Sequence, residues 1–167
     1  MAATKIMLGY GTVTVGGTAI GLTRGGSAFL VERDYREIEA DGDKGPVIGR
    51  IAIDREVAKL TVNALELFTA ANMTKYYPAM TLTTTTTTDT LKSTAGLSII
   101  AGDHADVVWT GKTIDGKAVT ITLEDAINMS NLEWTFEDKS EVVPSLEFTA
   151  CWTDGSTTPP WSVVFAK

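Results

Sequence analysis

Among its 167 residues the chain has one cysteine, Cys151, and one histidine, His104. A lone cysteine forms no internal disulfide, so the cross-linked framework of small secreted domains is excluded. Zinc, iron–sulfur and Cys–His catalytic sites each need more ligands than these two side chains supply. No apolar run approaches the roughly 20 residues of a membrane-spanning helix. Cations are also scarce. The 14 Lys and Arg stand against 21 Asp and Glu, a net charge of −7. That balance opposes tight binding to phosphate backbones, which depends on Lys and Arg displacing counterions. The opening Met1-Ala2-Ala3-Thr4-Lys5 runs into glycine-rich sequence rather than a signal-peptide core. Synthesis in a cytoplasm is the expectation.

What is present suits a folded β protein. The apolar fraction of 44% and the chain length predict one domain over 1–167 with a real core. Thr12 to Ile20 reads as two short strands around Gly16-Gly17. From Phe29 to Ala40, Phe29, Val31 and Tyr35 alternate with Glu32, Asp34 and Arg36, the period of a half-buried strand. The stretch Ala40 to Pro46 is dense in turn residues. A strand follows with Val47, Ile51 and Ile53 on one face. Beyond Arg55 the apolar parity switches to Ala58, Leu60, Val62 and Ala64. One straight strand cannot place Ile53 and Leu60 together, so a bulge or break is expected near Arg55.

Thr69 to Tyr77 is the best helix candidate, capped by Thr69 and ended by Pro78. The threonine-rich Thr81 to Thr90 predicts an exposed strand or extended loop. Val107–Thr113 and Lys117–Leu123 flank Asp115-Gly116, a strong hairpin signal. A loop or short turn is expected over Asp125–Met129. Strands are then expected from Leu132/Trp134/Phe136, from Leu146/Phe148/Ala150/Trp152, and from Trp161 to Phe165. The fold class predicted is mainly β, a two-sheet β-sandwich with one short flanking helix.

Motifs for chemistry are weak. Gly9 and Gly11 do not complete a dinucleotide fingerprint, because Thr14 stands where a third glycine belongs. Asp41-Gly42-Asp43-Lys44-Gly45 opens like a calcium loop but continues with Pro46, so a turn is the better reading. Glu133, Glu137 and Glu147 share a parity, yet flat strand faces rarely form the cleft that acid–base work needs. Trp134 and Trp152 fall on the apolar alternation and are read as core. Trp109 and Trp161 stay open between core and a sugar-stacking surface. His104 reads as a loop residue and Cys151 as an inert thiol. No catalytic residue, metal ligand or cofactor is expected.

Several runs, taken in order, are similar to one family. They are Arg33 to Gly42 followed by Gly45-Pro46-Val47, then Ala58 to Leu67. In the second half they are Trp109-Thr110-Gly111-Lys112 with Asp115-Gly116-Lys117, Asn131 to Phe136, and Glu141 to Ala150. Together they resemble the tail tube (major tail) proteins of long-tailed bacteriophages, over about Gly9 to Phe165. The threonine run Thr83–Thr88 and Cys151 lie outside the resemblance.

The resemblance implies a two-sheet sandwich with a flanking helix. Six copies would form a ring whose inner sheets join into one barrel. Stacked rings would make the tube that carries double-stranded DNA into the host. The implied partners are further copies of the chain, with tape measure, tail terminator, and distal tail or baseplate proteins, and no membrane. The place would be the virion tail. The loop of Asp41, Gly42, Asp43, Lys44, Gly45, Pro46 and Arg50 would reach the neighbouring ring. Glu32, Asp34, Arg36, Lys59 and Thr61, opposite the apolar sets of their strands, would face the lumen. DNA would pass an acidic wall without adhering. Two other readings stay open: a monomeric sugar-binding or adhesin-like β-sandwich, and a baseplate or tail-completion protein of the same fold.

Overall fold

A computed structural model describes residues 6–66 and 69–167. Its strands are β1 (Met7–Val15), β2 (Thr18–Ala19), β3 (Thr23–Glu37), β4 (Ile51–Ala64), β5 (Met80–Thr84) and β6 (Asp89–Ser93). They continue with β7 (Ala105–Thr113), β8 (Ala118–Asn128), β9 (Ser145–Thr149) and β10 (Trp161–Phe165). The helix α1 spans Ala70–Tyr76. The protein is mainly β, antiparallel and sandwich-like, as its alternating patterns predict.

The main sheet runs β2-β1-β7-β8-β9-β4-β3, with β10 alongside β8, and its ends stay open. β8 belongs to both layers. Val119 to Leu123 pair with β10, while Ile127 and Asn128 pair with β9. The switch falls at Asp125, which has φ +46°, beside a register shift against β7 between Ala105 and Val107. Such a bulge bends the strand from one layer to the next. The expected loop over Asp125–Met129 is therefore corrected: β8 continues through it to Asn128.

Between the layers lies one apolar cluster. Val13, Val15, Val107, Val119, Ile121 and Leu123 come from one side, and Ala58, Leu60, Val62, Leu146 and Phe148 from the other. Most of their alternate neighbours are polar, which is why these segments form strands with one buried face. Trp109 joins this core, only 6% exposed. Its indole lies over Gly11 and Gly111; a Cβ at Gly111 would stand 2.2 Å from the ring. The Gly16-Gly17 turn between β1 and β2 has φ of +53° and +76°, which glycine adopts without strain.

In α1 the Thr69 hydroxyl accepts from the Asn72 N–H at 3.3 Å, and Pro78 follows the Tyr77 cap. Seven residues are too few for a helix stable by itself. Met73 and Tyr76 bury it against the core, and the buried Asn128 amide donates to the Tyr76 carbonyl at 2.7 Å. The threonine stretch forms the β5–β6 hairpin, turned at Thr85 to Thr88.

Three further expectations are corrected. Leu132 to Phe136 is not a strand, and Trp134 stands 46% exposed beside exposed Leu132 and Phe136. Trp152 lies past the end of β9, also exposed, rather than in the core. Tyr35, Ile51 and Ile53 keep their parity but carry no covering layer, with Tyr35 62% exposed. Alternation reports which face a side chain takes; whether anything packs there is a property of the surrounding fold.

Candidate functional site

β3 and β4 form a long hairpin whose first half lies in the sandwich and whose second half projects beyond it. The bulge expected near Arg55 is present. Asp34 pairs with Arg55 and Tyr35 with Ile53, so Asp54 is the extra residue. It restores the phase, placing Ile51 and Ile53 on the face of Ala58 and Leu60.

At the root of this arm a charged pair occupies the core-facing parity. Arg33 Nε lies 2.6 Å from Glu56 Oε2, and Trp161 Nε1 donates to Glu56 Oε1 at 2.7 Å. The Glu56 side chain is only 13% exposed. The bond from Trp161, then that from Arg33, holds its carboxyl below the usual glutamate range. The same bond raises the Arg33 guanidinium. Trp161 also packs against Phe29 at a tilt of 54°, ring centroids 5.8 Å apart, and Trp152 Nε1 donates to the Glu56 carbonyl at 3.2 Å. These five residues fix where the arm leaves the core. The signal was available in the sequence: Arg33 and Glu56 interrupt the apolar parities of Phe29/Val31 and Ala58/Leu60 at matching places.

Beyond this anchor the arm exposes Tyr35, Ile38, Ile48, Ile51 and Ile53. Its end is a turn-rich loop. Asp43 accepts from the Ala40 N–H at 2.7 Å and from Arg50 Nη1 at 2.8 Å. Arg50 N–H reaches the Val47 carbonyl at 3.0 Å, and Ile38 N–H the Arg50 carbonyl at 2.8 Å. Asp41, Gly42, Lys44, Gly45 and Pro46 are exposed around this frame. The loop is thus self-supported, without apolar anchorage to the body.

The opposite face of the hairpin brings Glu32, Asp34 and Arg36 of β3 together with Lys59 and Thr61 of β4. Lys59 Nζ lies 3.2 Å from Glu32 and 3.8 Å from Glu147 of β9. Arg55 lies 3.9 Å from Asp34, and Arg36 2.9 Å from Asp54. The face is charged but nearly balanced. The acidic excess gathers next to it, in a groove of about 640 Å³ lined by Glu133, Glu137, Glu141 and Glu147 with Arg24 and Thr61. Arg24 forms an exposed ion pair with Glu141.

Exposed pairs of this kind contribute little stability each and are weakened by salt. Among the described residues, no group of three or more His, Cys, Asp or Glu is placed to hold a metal ion. His104 follows a short 3₁₀ turn, its ring nitrogen 3.3 Å from the Ile100 carbonyl. Burial, and secondarily Asp125, pushes the Cys151 thiol up, away from nucleophilic thiolate.

No protein-family model and no curated protein matches the chain. Among the described residues no helix is long and apolar enough to cross a membrane.

Proposed function

We propose that the chain is a structural subunit that assembles as stacked hexameric rings into the tail tube of a long-tailed phage, the conduit for viral DNA. The observation that supports this most is the projecting β3–β4 arm. A hairpin that carries Tyr35, Ile38, Ile48, Ile51 and Ile53 into solvent has apolar surface which a neighbour would cover. The open ends of the main sheet add unpaired edges, which closure across subunits would remove. In this reading the Asp41–Arg50 loop meets the next ring. The face of Glu32, Asp34, Arg36, Lys59 and Thr61 lines the lumen, and the finished tube lies in the virion tail after synthesis in the host cytoplasm. Its partners are further copies and the tape measure, terminator and distal tail or baseplate proteins.

Light scattering and negative-stain microscopy of the concentrated protein test the assignment. Rings or tubes are expected. A protein that stays strictly monomeric, even with tail-initiating proteins present, overturns it, and glycan binding by that monomer would favour the adhesin-like reading.

A further inference from the structure

Residues 131–137 have the sequence of a strand and the conformation of one face-sorted segment, but no ladder. Leu132, Trp134 and Phe136 are exposed on one side. Glu133, Thr135 and Glu137 turn to the other, lining the groove over Thr61 and Glu147. Among the described residues none of their backbone N–H groups meets a backbone carbonyl; the one such bond is accepted by Glu137, from Ser140 at 3.4 Å. A segment with period-two sidedness and free backbone groups lacks only a neighbouring edge.

We propose that residues 131–137 become a strand by pairing with the free edge of β3 in a second copy. This rests on the assembly reading above and names its contact. β3 is the terminal strand of the main sheet, 15 residues long, with β4 on one edge and, among the described residues, no strand on the other. Of the other free edges, β2 has two residues and β10 has five, both too short to hold seven. The faces also agree. Laid beside β3, Leu132, Trp134 and Phe136 continue the side of Phe29, Val31 and exposed Tyr35, while Glu133, Thr135 and Glu137 continue the polar side. Pro144 accepts from the Ala64 N–H at 3.0 Å, tying the segment's return to the β9 flank of β4, across from β3. Glu141, past the segment, pairs with Arg24 near the start of β3, so the segment lies across the polar face of this layer, and donor segment and acceptor edge are different surfaces of the chain. Pairing them is a head-to-tail contact, which closes into a ring or runs on as a filament.

Hydrogen exchange on the unaltered protein, dilute and assembled, tests this without any variant. Amides of residues 131–137 should exchange fast in the monomer and slow to the rate of β4 amides in the assembly, with the β3 edge slowing alongside. Thr135→Pro, which removes a donor and blocks a ladder, should leave the monomer's melting unchanged and abolish large species. Thr135→Val should assemble like the parent. Assemblies in which these amides stay unprotected, or which form normally from Thr135→Pro, overturn the pairing while the tube assignment stands. A parent that never assembles overturns both.

Discussion

Glu56 shows how a single side chain sets the geometry of the arm. It sits at a core-facing position of β4, yet remains a carboxylate because Trp161 and Arg33 both donate to it. Its folded-state pKa is depressed, so its contribution is present at neutral pH. That contribution is lost as pH falls through the ordinary glutamate range and below. Glu56→Gln should lower the thermal midpoint at pH 7 and flatten the fall in stability on acidification. Melting curves at several pH values check this, and an unchanged acid limb would remove Glu56 from the anchor. Gly111 acts by absence. With the ring of Trp109 where its Cβ would be, Gly111→Ala should cost about 1–3 kcal/mol by overpacking, read from denaturant midpoints. Asn128 stitches three segments. Its amide donates to the Tyr76 carbonyl, and its oxygen accepts from the Ser130 N–H at 2.9 Å and the Glu147 N–H at 3.3 Å. Asn128→Ala leaves a buried carbonyl unpaired and should cost about 1–3 kcal/mol, with α1 amides losing exchange protection first.

At the level of elements, the arm and the sandwich answer to different forces. The Asp41–Arg50 loop is braced by Asp43 and Arg50 rather than by the core. Deleting Gly42 to Gly45 should therefore shift the thermal midpoint by only a few degrees while disrupting ring stacking, seen as short or absent tubes. Normal tubes would detach the loop from that role. Most strands were legible because one face is buried: Val119, Ile121 and Leu123 alternate with Thr120, Thr122 and Glu124, and the packing follows. The bulge at Asp54 was legible for the same reason, as a parity break between Ile53 and Ala58. What alternation could not report was occupancy. Leu132, Trp134 and Phe136 have the pattern of Leu146, Phe148 and Ala150, but among the described residues only the second set has a layer opposite it. The span of β8 was missed because Asp125 and Asn128 read as turn formers. In place, Asp125 supplies the bulge and Asn128 the buried hydrogen bonds. For the proposed lumen, residue parity was readable, but the cross-strand partners of Glu32 and Asp34 depended on the β3–β4 register.

For the whole molecule, the charge pattern bears on DNA passage. The net charge of −7 is unevenly spread, since Glu32 and Asp34 are matched by Lys59 and Arg55 while the neighbouring groove is acidic. Glu32→Lys with Asp34→Lys would place four cations together in each copy and repeat them around a ring. Such tubes should hold duplex DNA at low salt, shielded from nuclease, and release it at high salt as counterions compete. Co-sedimentation with and without nuclease checks this. Tubes that form well yet never retain protected DNA would mean that this face points outward. A different consequence follows from β8, whose first part belongs to one layer and whose last two residues to the other. Layers joined only by side-chain contact can slide apart under load; here a continuous covalent backbone crosses between them. A pull that separates the layers must first strip backbone hydrogen bonds along β8, so the body should yield abruptly as a single mechanical unit rather than shear layer from layer.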